Sequence, residues 1–106
     1  MLIINITNLN NENYDNFVSE GICLVDVKAE WCKPCIILSP IIDELSDEYK
    51  NVKFGKIDAD ESSEKIKELG IRNIPTLLIY KDGEIVDRSV GMVSKSHISS
   101  LLDKQI

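Results

Sequence analysis

Two cysteines, Cys32 and Cys35, stand three positions apart in the segment EWCKPC, residues 30–35. This segment follows an apolar stretch that predicts a strand and precedes an amphipathic stretch that predicts a long helix. A helix N-terminus carries unpaired N–H groups and partial positive charge, which favour a thiolate placed there. Because the thiolate is the nucleophilic form of cysteine, this setting indicates thiol–disulfide exchange. Pro34 is compatible with the first helical turn, where its missing N–H would have been unpaired anyway.

The order of the cysteines suggests their roles. We expect Cys32, the outer cysteine, to attack a substrate disulfide, and Cys35, one turn into the helix and more buried, to resolve the mixed disulfide. The alternatives are a structural disulfide or half of a zinc site. Zinc needs four ligands, and only Cys23 and His97 remain, far away in the sequence. We therefore favour redox chemistry, expect no metal, and interpret Cys23 as a small buried apolar residue.

Asp26 is the third candidate for chemistry. It lies in an otherwise apolar strand, six residues before Cys32. Burial raises the pKa of a carboxyl group because the charged form loses its hydration. A buried acid close to a nucleophile is typical of a tuned catalytic site. The alternative is an acid at the exposed end of the strand.

The pattern of apolar and turn residues predicts an α/β domain spanning residues 1–106, with elements in the order β-α-β-α-β-α-β-β-α. The connections predict a sheet that is parallel at the helical crossovers and antiparallel at the last hairpin, which turns at Asp82-Gly83. The helix over 35–49 contains Pro40. Its predicted buried face consists of Ile37, Leu38, Ile41, Ile42 and Leu45. Predicted strands are 2–6, 22–29, 52–58, 76–81 and 84–90, and predicted helices are 10–19, 35–49, 62–69 and 94–104.

Composition restricts the class of protein further. The chain has 106 residues, 43% of them apolar and 28% charged, which is typical of a globular domain. The net charge of −6 argues against nucleic acid and anionic membranes as partners. No apolar run is long enough to span a membrane, and the N-terminus lacks the basic region of a signal peptide. Three cysteines with one motif pair favour a reducing compartment, so we expect a cytoplasmic protein.

Three segments together resemble the thioredoxin family. LVDVKAEWCKPC is similar to the family's strand and active-site loop, IRNIPTLLIYKDGEIV to its proline loop and terminal hairpin, and VGMVSKSHI to the glycine turn before the last helix. The similarity covers essentially the whole chain. It implies the thioredoxin fold, with a central mixed five-stranded sheet flanked by four helices. It also implies a thiol–disulfide oxidoreductase that reduces protein disulfides.

The resemblance also implies roles for individual residues. Asp26 would take the proton of Cys35 as that thiol attacks, and Lys56 would lie on the neighbouring strand as a partner for this acid, with a plain surface lysine as the alternative. The bond between Ile74 and Pro75 would be cis; the sequence alone would equally allow a trans proline at the start of a strand. The disulfide itself would carry the electrons without a further cofactor. Partners would be disulfide-containing proteins and a thioredoxin reductase, dependent on NADPH or ferredoxin, and the chain would be a monomer.

A substrate-binding surface is expected around Cys32. Its apolar rim would bind flexible protein segments with little sequence preference, and consists of Trp31, Pro34, Ile74, Gly91 and Met92. Two members, Trp31 and Met92, could instead be ordinary core residues. The predicted substrate-binding residues are Trp31, Lys33, Pro34, Ile74, Pro75, Gly91 and Met92.

Three residues depart from the usual thioredoxin pattern. Lys33 replaces a glycine between the cysteines; a cation there stabilises the thiolate and makes the disulfide a stronger oxidant. Lys28 replaces a tryptophan, and is expected to pair with a carboxylate such as Asp26 or to extend into solvent. Ile36 replaces a lysine and enlarges the apolar rim.

Two alternative functions remain open. One is a specialised electron donor, oxidase or isomerase with a more oxidising cysteine pair, which Lys33 suggests. The other is a redox-inert binding module of thioredoxin fold. The intact cysteine pair with Asp26 and Pro75 argues against the second, because a module without redox function needs none of them.

Overall fold

The structure is a computed structural model that describes residues 1–106 and contains five strands and four helices in the predicted order. The strands are β1 (Ile6–Leu9), β2 (Ile22–Lys28), β3 (Val52–Asp58), β4 (Thr76–Lys81) and β5 (Glu84–Val90). The helices are α1 (Tyr14–Val18), α2 (Lys33–Glu48), α3 (Ser63–Glu68) and α4 (Lys95–Asp103). None of these helices is long and apolar enough to cross a lipid bilayer.

The strands form one mixed sheet in the order β1-β3-β2-β4-β5. β3 pairs in parallel with β1 and β2, whereas β4 pairs antiparallel with β2 and β5. This topology confirms the predicted mixed five-stranded sheet. β2 lies at its centre and is buried on both faces, which explains its nearly continuous apolar sequence.

Each face of the sheet carries its own apolar core and its own pair of helices. On one face, α2 and α4 pack against even-numbered residues of β2 and β3, such as Leu24 and Phe54. On the other face, α1 and the α3 region pack against odd-numbered residues, such as Val25 and Ile57. This alternation is the two-residue period of a strand. It places Asp26, an even-numbered residue, on the α2 side.

The first strand differs from its prediction. The apolar residues 2–4 predicted a strand over 2–6, but they are exposed, and β1 spans Ile6–Leu9. β1 is an edge strand that pairs in parallel with Phe54–Ile57 of β3. The prediction was wrong because backbone pairing, and not apolar content, selects the segment that occupies this edge.

Helix α2 begins two residues earlier than predicted and buries a narrower face. Cys32 is its N-cap residue, and Pro34 lies in its first turn. Leu38, Ile42 and Leu45 are buried in the core, as predicted. Ile37 was assigned to the same face but is exposed, as is Ile36. The run of consecutive apolar residues at 36–38 does not reveal the phase of the helix, so this part of the prediction was wrong.

Candidate active site

The two motif cysteines are joined by a disulfide at the N-terminus of α2, directly beyond the end of β2. The Cys32 side chain caps the helix, because the backbone N–H of Cys35 donates to its Sγ at 3.3 Å. Helix N-terminal N–H groups and the helix dipole stabilise negative charge at this position. A thiolate released at Cys32 would therefore meet a donor that is already oriented towards it.

The two cysteines are almost equally buried, at 4% exposed for Cys32 and 3% for Cys35. Both pack with Ala29 and with the partly buried Ile74. Burial therefore does not separate the attacking thiol from the resolving thiol in the oxidised form. The hydrogen bond from the Cys35 N–H does separate them, because only Cys32 Sγ accepts it.

Asp26 lies on the α2 face of β2 and is only 1% exposed, which excludes the alternative of an acid at an exposed strand end. Neither of its carboxylate oxygens has a hydrogen-bond partner in the protein. Burial raises the pKa of Asp26 to about 6 from its ordinary value of 3.8. Lys56 and Lys28 oppose this rise, and Asp43 adds to it. The carboxyl group therefore titrates close to neutral pH, where it can exchange protons with a thiol.

The two lysines near Asp26 have other direct partners. Lys56 lies opposite Asp26 in the register of β2 and β3, but its Nζ donates to Ser39 Oγ at 2.6 Å and Asp43 Oδ1 at 3.0 Å. Lys28 was expected to pair with a carboxylate such as Asp26 or to extend into solvent. It does pair with a carboxylate, but that carboxylate is Asp58, whose Oδ2 lies 3.7 Å from Lys28 Nζ. Both lysines thus act on Asp26 through space.

The proline loop lies next to the cysteines. The Ile74–Pro75 bond is cis, as the resemblance implied. The Gly91 N–H donates to the Pro75 carbonyl at 2.8 Å, which connects the glycine turn to this loop. Ile74 contacts the cysteine cluster, so three of the predicted substrate-binding residues are joined here.

The other predicted substrate-binding residues are exposed. Trp31 is 69% and Met92 45% exposed, so the alternative that they are core residues was wrong. Lys33 and Pro34 are also exposed, in the first turn of α2.

Asp60 is a residue of this region that the sequence analysis missed. Its Oδ2 accepts a hydrogen bond of 2.8 Å from the Trp31 indole N–H. No local sequence signal connects two residues this far apart in the chain. The contact holds the exposed ring beside the cysteines.

Ile36 and Ile37 extend the apolar surface from Cys35 along the exposed side of α2. We expect the double substitution Ile36→Ser and Ile37→Ser to change the free energy of unfolding by less than about 1 kcal/mol, because neither side chain is buried. The KM for a protein disulfide should rise several-fold while kcat changes little. Steady-state kinetics would measure this split. Ile85→Ser is the control, because Ile85 is also an exposed apolar residue and lies at the far end of β5. Equal KM changes in both variants would contradict a binding role.

Cys23 lies apart from the motif pair. It is completely buried in the core on the α1 face of the sheet, and burial raises the pKa of its thiol. It cannot join Cys32 and Cys35 as a zinc ligand from that position. Its placement agrees with the interpretation of Cys23 as a small apolar residue.

Comparisons with known proteins agree with this geometry. The family model described as Thioredoxin matches residues 5–104. A thioredoxin of Chlamydia pneumoniae is 42% identical over 96 residues, which cover 91% of this chain and 94% of that protein. A thioredoxin of Pseudomonas aeruginosa is 38% identical over 105 residues, covering 98% and 96%. Among solved structures, a mutant thioredoxin from Halobacterium salinarum matches with a TM-score of 0.88 at 28% identity, covering 94% of this chain and 89% of that one.

Proposed function

Because the chain belongs to the thioredoxin family and is thus a protein-disulfide reductase, we propose that Cys32 is its nucleophile and Cys35 its resolving thiol. The observation that carries this assignment is the hydrogen bond from the Cys35 N–H to Cys32 Sγ. It favours the thiolate at Cys32, and the thiolate is the attacking species.

The reaction proceeds through two exchanges. The Cys32 thiolate attacks one sulfur of a substrate disulfide, forms a mixed disulfide and releases the other substrate sulfur as a thiolate, which takes a proton from water. Cys35 then loses its proton, attacks Cys32 Sγ and releases the second substrate thiol. Two electrons pass to the substrate, and the Cys32–Cys35 disulfide remains.

Asp26 is the proposed proton acceptor of the second exchange. Its raised pKa leaves a substantial ionised fraction at neutral pH while keeping its affinity for a proton high. A cavity of about 330 Å³ is lined by both Asp26 and Cys35. This volume admits several water molecules, which can carry the proton between the two groups. Lys56 supports the ionised form of Asp26 from the neighbouring strand.

Substrates are proposed to bind across the proline loop and the tip of α2. The Ile74 backbone makes no backbone–backbone hydrogen bond within the protein, so it can pair with an extended substrate segment. The apolar rim accepts side chains of varied sequence. The residues assigned to this surface are Trp31, Lys33, Pro34, Ile74, Pro75, Gly91 and Met92.

The electron supply is also part of the proposal. A thioredoxin reductase, dependent on NADPH or ferredoxin, would return two electrons and two protons to the Cys32–Cys35 disulfide, so the chain needs no cofactor of its own. We propose that the chain acts as a cytoplasmic monomer on disulfide-containing proteins. Nucleic acid and anionic membranes are not proposed as partners, because the net charge of −6 repels both.

The first test is the reduction potential of the Cys32–Cys35 pair, measured in defined thiol–disulfide buffers by acid quenching and counting of free thiols. A potential near −270 mV would support a general reductase. A value above about −200 mV would favour a specialised donor, oxidase or isomerase. A pair that never closes reversibly would contradict the assignment.

Lys33 is the residue that favours a specialised donor, oxidase or isomerase over a general reductase. We expect Lys33→Met to make the potential more negative by about 10–30 mV, because loss of the adjacent cation destabilises the Cys32 thiolate and hence the reduced form. Lys33→Arg, which keeps the charge, should leave the potential unchanged. An unchanged potential in Lys33→Met would show that the cation does not tune the pair.

A further inference from the structure

Four charged side chains form an alternating array beneath the start of α2. β2 carries Asp26 and Lys28 in the order D-x-K, and β3 carries Lys56 and Asp58 in the order K-x-D. Residues two apart on a strand point to the same face. The parallel register then places Lys56 opposite Asp26, and Asp58 opposite Lys28. Every charge in the array therefore has neighbours of opposite sign, both along its strand and across to the next one.

The four charged side chains differ in the number of direct hydrogen bonds and ion pairs that stabilise their charges. Lys56 is bonded to Ser39 and Asp43. Asp58 accepts the backbone N–H groups at positions 60 and 61 and faces Lys28 at 3.7 Å. Of the four, Asp26 alone has neither a hydrogen-bond partner nor an ion pair within 4 Å in the protein. Its ionised form thus depends on cations that do not touch it.

The array borders the cavity of about 330 Å³ that Cys35 and Asp26 both line. Lys28 and Lys56 both line it. Lys28 is partly exposed, so it lies where the cavity opens to solvent, and Asp58 holds it there. A cation at this place borders the same cavity as the buried carboxylate.

We propose that Lys28, held by Asp58, is a positioning residue for the second exchange, because its ammonium group keeps Asp26 ionised and able to accept the proton of Cys35. The proposal rests on the proposed function of this site. Lys56 has the larger effect on the pKa of Asp26, and Lys28 adds to it. Lys28 differs from Lys56 because its carboxylate partner is more distant, at 3.7 Å against 3.0 Å.

The sign of the effect follows from the charges around Asp26. Removing the Lys28 cation raises the pKa of Asp26, which lowers the ionised fraction at neutral pH and slows proton transfer from Cys35. Loss of one unit charge that acts on Asp26 without direct contact is expected to move the titration midpoint by roughly half a pH unit. The charged groups that act on Asp26 are Lys56 on β3, Lys28 on β2 and Asp43 on α2. Glu30, in the loop between β2 and α2, lines the same cavity, and Asp58 on β3 faces Lys28.

The test follows Asp26 directly. The side-chain carboxyl carbon of Asp26 is titrated by ¹³C NMR in the oxidised protein and in Lys28→Gln, Lys28→Arg and Lys50→Gln variants. Lys50 forms a surface pair with Asp47 and is the matched control. We expect a midpoint about half a pH unit higher in Lys28→Gln and no change in the other two variants. Coincident titrations of Lys28→Gln and the unchanged protein would overturn the proposal.

A kinetic measurement tests whether the effect of Lys28 on Asp26 changes the rate of the second exchange. A chromogenic aromatic disulfide releases one thiolate when Cys32 attacks and a second when Cys35 resolves. The second release should be about twofold slower at pH 6 in Lys28→Gln, because a midpoint half a pH unit higher lowers the ionised fraction of Asp26 from about one half to about one quarter. Above pH 8 it should equal that of the unchanged protein. Equal rates at both pH values would overturn the positioning role. Failure of the unchanged protein to release either thiolate would instead contradict the proposed function.

Discussion

Replacing Cys32 with serine is expected to lower the rate of protein-disulfide reduction by roughly a thousandfold or more, because a serine hydroxyl is not ionised at neutral pH and cannot replace the thiolate. The loss should not be accompanied by unfolding, since serine retains an oxygen that can accept the Cys35 N–H. A coupled assay with reductase and a protein disulfide would measure the rate. Circular dichroism would confirm the fold.

The Cys23→Ala variant is the control for this experiment. Cys23 is buried on the opposite face of the sheet, so its removal should leave the rate unchanged. A Cys32→Ser protein that keeps its turnover would contradict the nucleophile assignment. If the Cys32→Ser variant loses turnover, the protein is an enzyme. A redox-inert binding module would keep both its binding partner and its function in this variant.

Cys35→Ser separates the two exchanges. The variant keeps the Cys32 nucleophile, so it should react once with a substrate disulfide and then accumulate the mixed disulfide, which mass spectrometry detects as the added mass of one substrate thiol. Turnover should stop because no second thiol resolves the intermediate. The assigned roles would be reversed if the mixed disulfide accumulated on Cys35 in the Cys32→Ser variant and did not accumulate on Cys32 in the Cys35→Ser variant.

The chemistry-bearing residues were predictable because they stand in short, spaced motifs. Cys32, Cys35 and the Ile74–Pro75 step each have local signatures, and family resemblance supplied the distant relation between them. Asp26 was identified as the one acid in a buried strand, and its burial follows from the position of β2 in the centre of the sheet. Such features depend on local sequence and on burial, which the continuous apolar pattern of β2 indicates.

Features that depend on register or helical phase were not predictable. The Lys28–Asp58 pair exists because the parallel register of β2 and β3 aligns these two positions, and neither strand alone specifies that register. Ile37 was misassigned because three consecutive apolar residues are compatible with more than one helical phase. The contact of Trp31 with Asp60 joins two loops. In each case the missing information is a tertiary arrangement that no local pattern contains.

Replacing Asp26 with asparagine is expected to stabilise the oxidised protein and slow its turnover. The pKa of Asp26 is raised from 3.8 to about 6, so the folded state disfavours the carboxylate. The contribution of this group to stability is therefore fully present below about pH 4 and is lost as the pH rises through 6. At pH 8 the asparagine variant should be more stable by up to about 3 kcal/mol, and at pH 4 the two proteins should be nearly equal.

Urea unfolding of both oxidised proteins at pH 4, 6 and 8 would measure this difference. Turnover at neutral pH should fall by about tenfold or more, because the amide cannot accept the proton of Cys35. A stability gain of the same size at every pH would show that packing, and not ionisation, is its cause. A gain confined to high pH, together with slower turnover, would mean that this fold retains a destabilising buried carboxylate because the second exchange requires a base at that position.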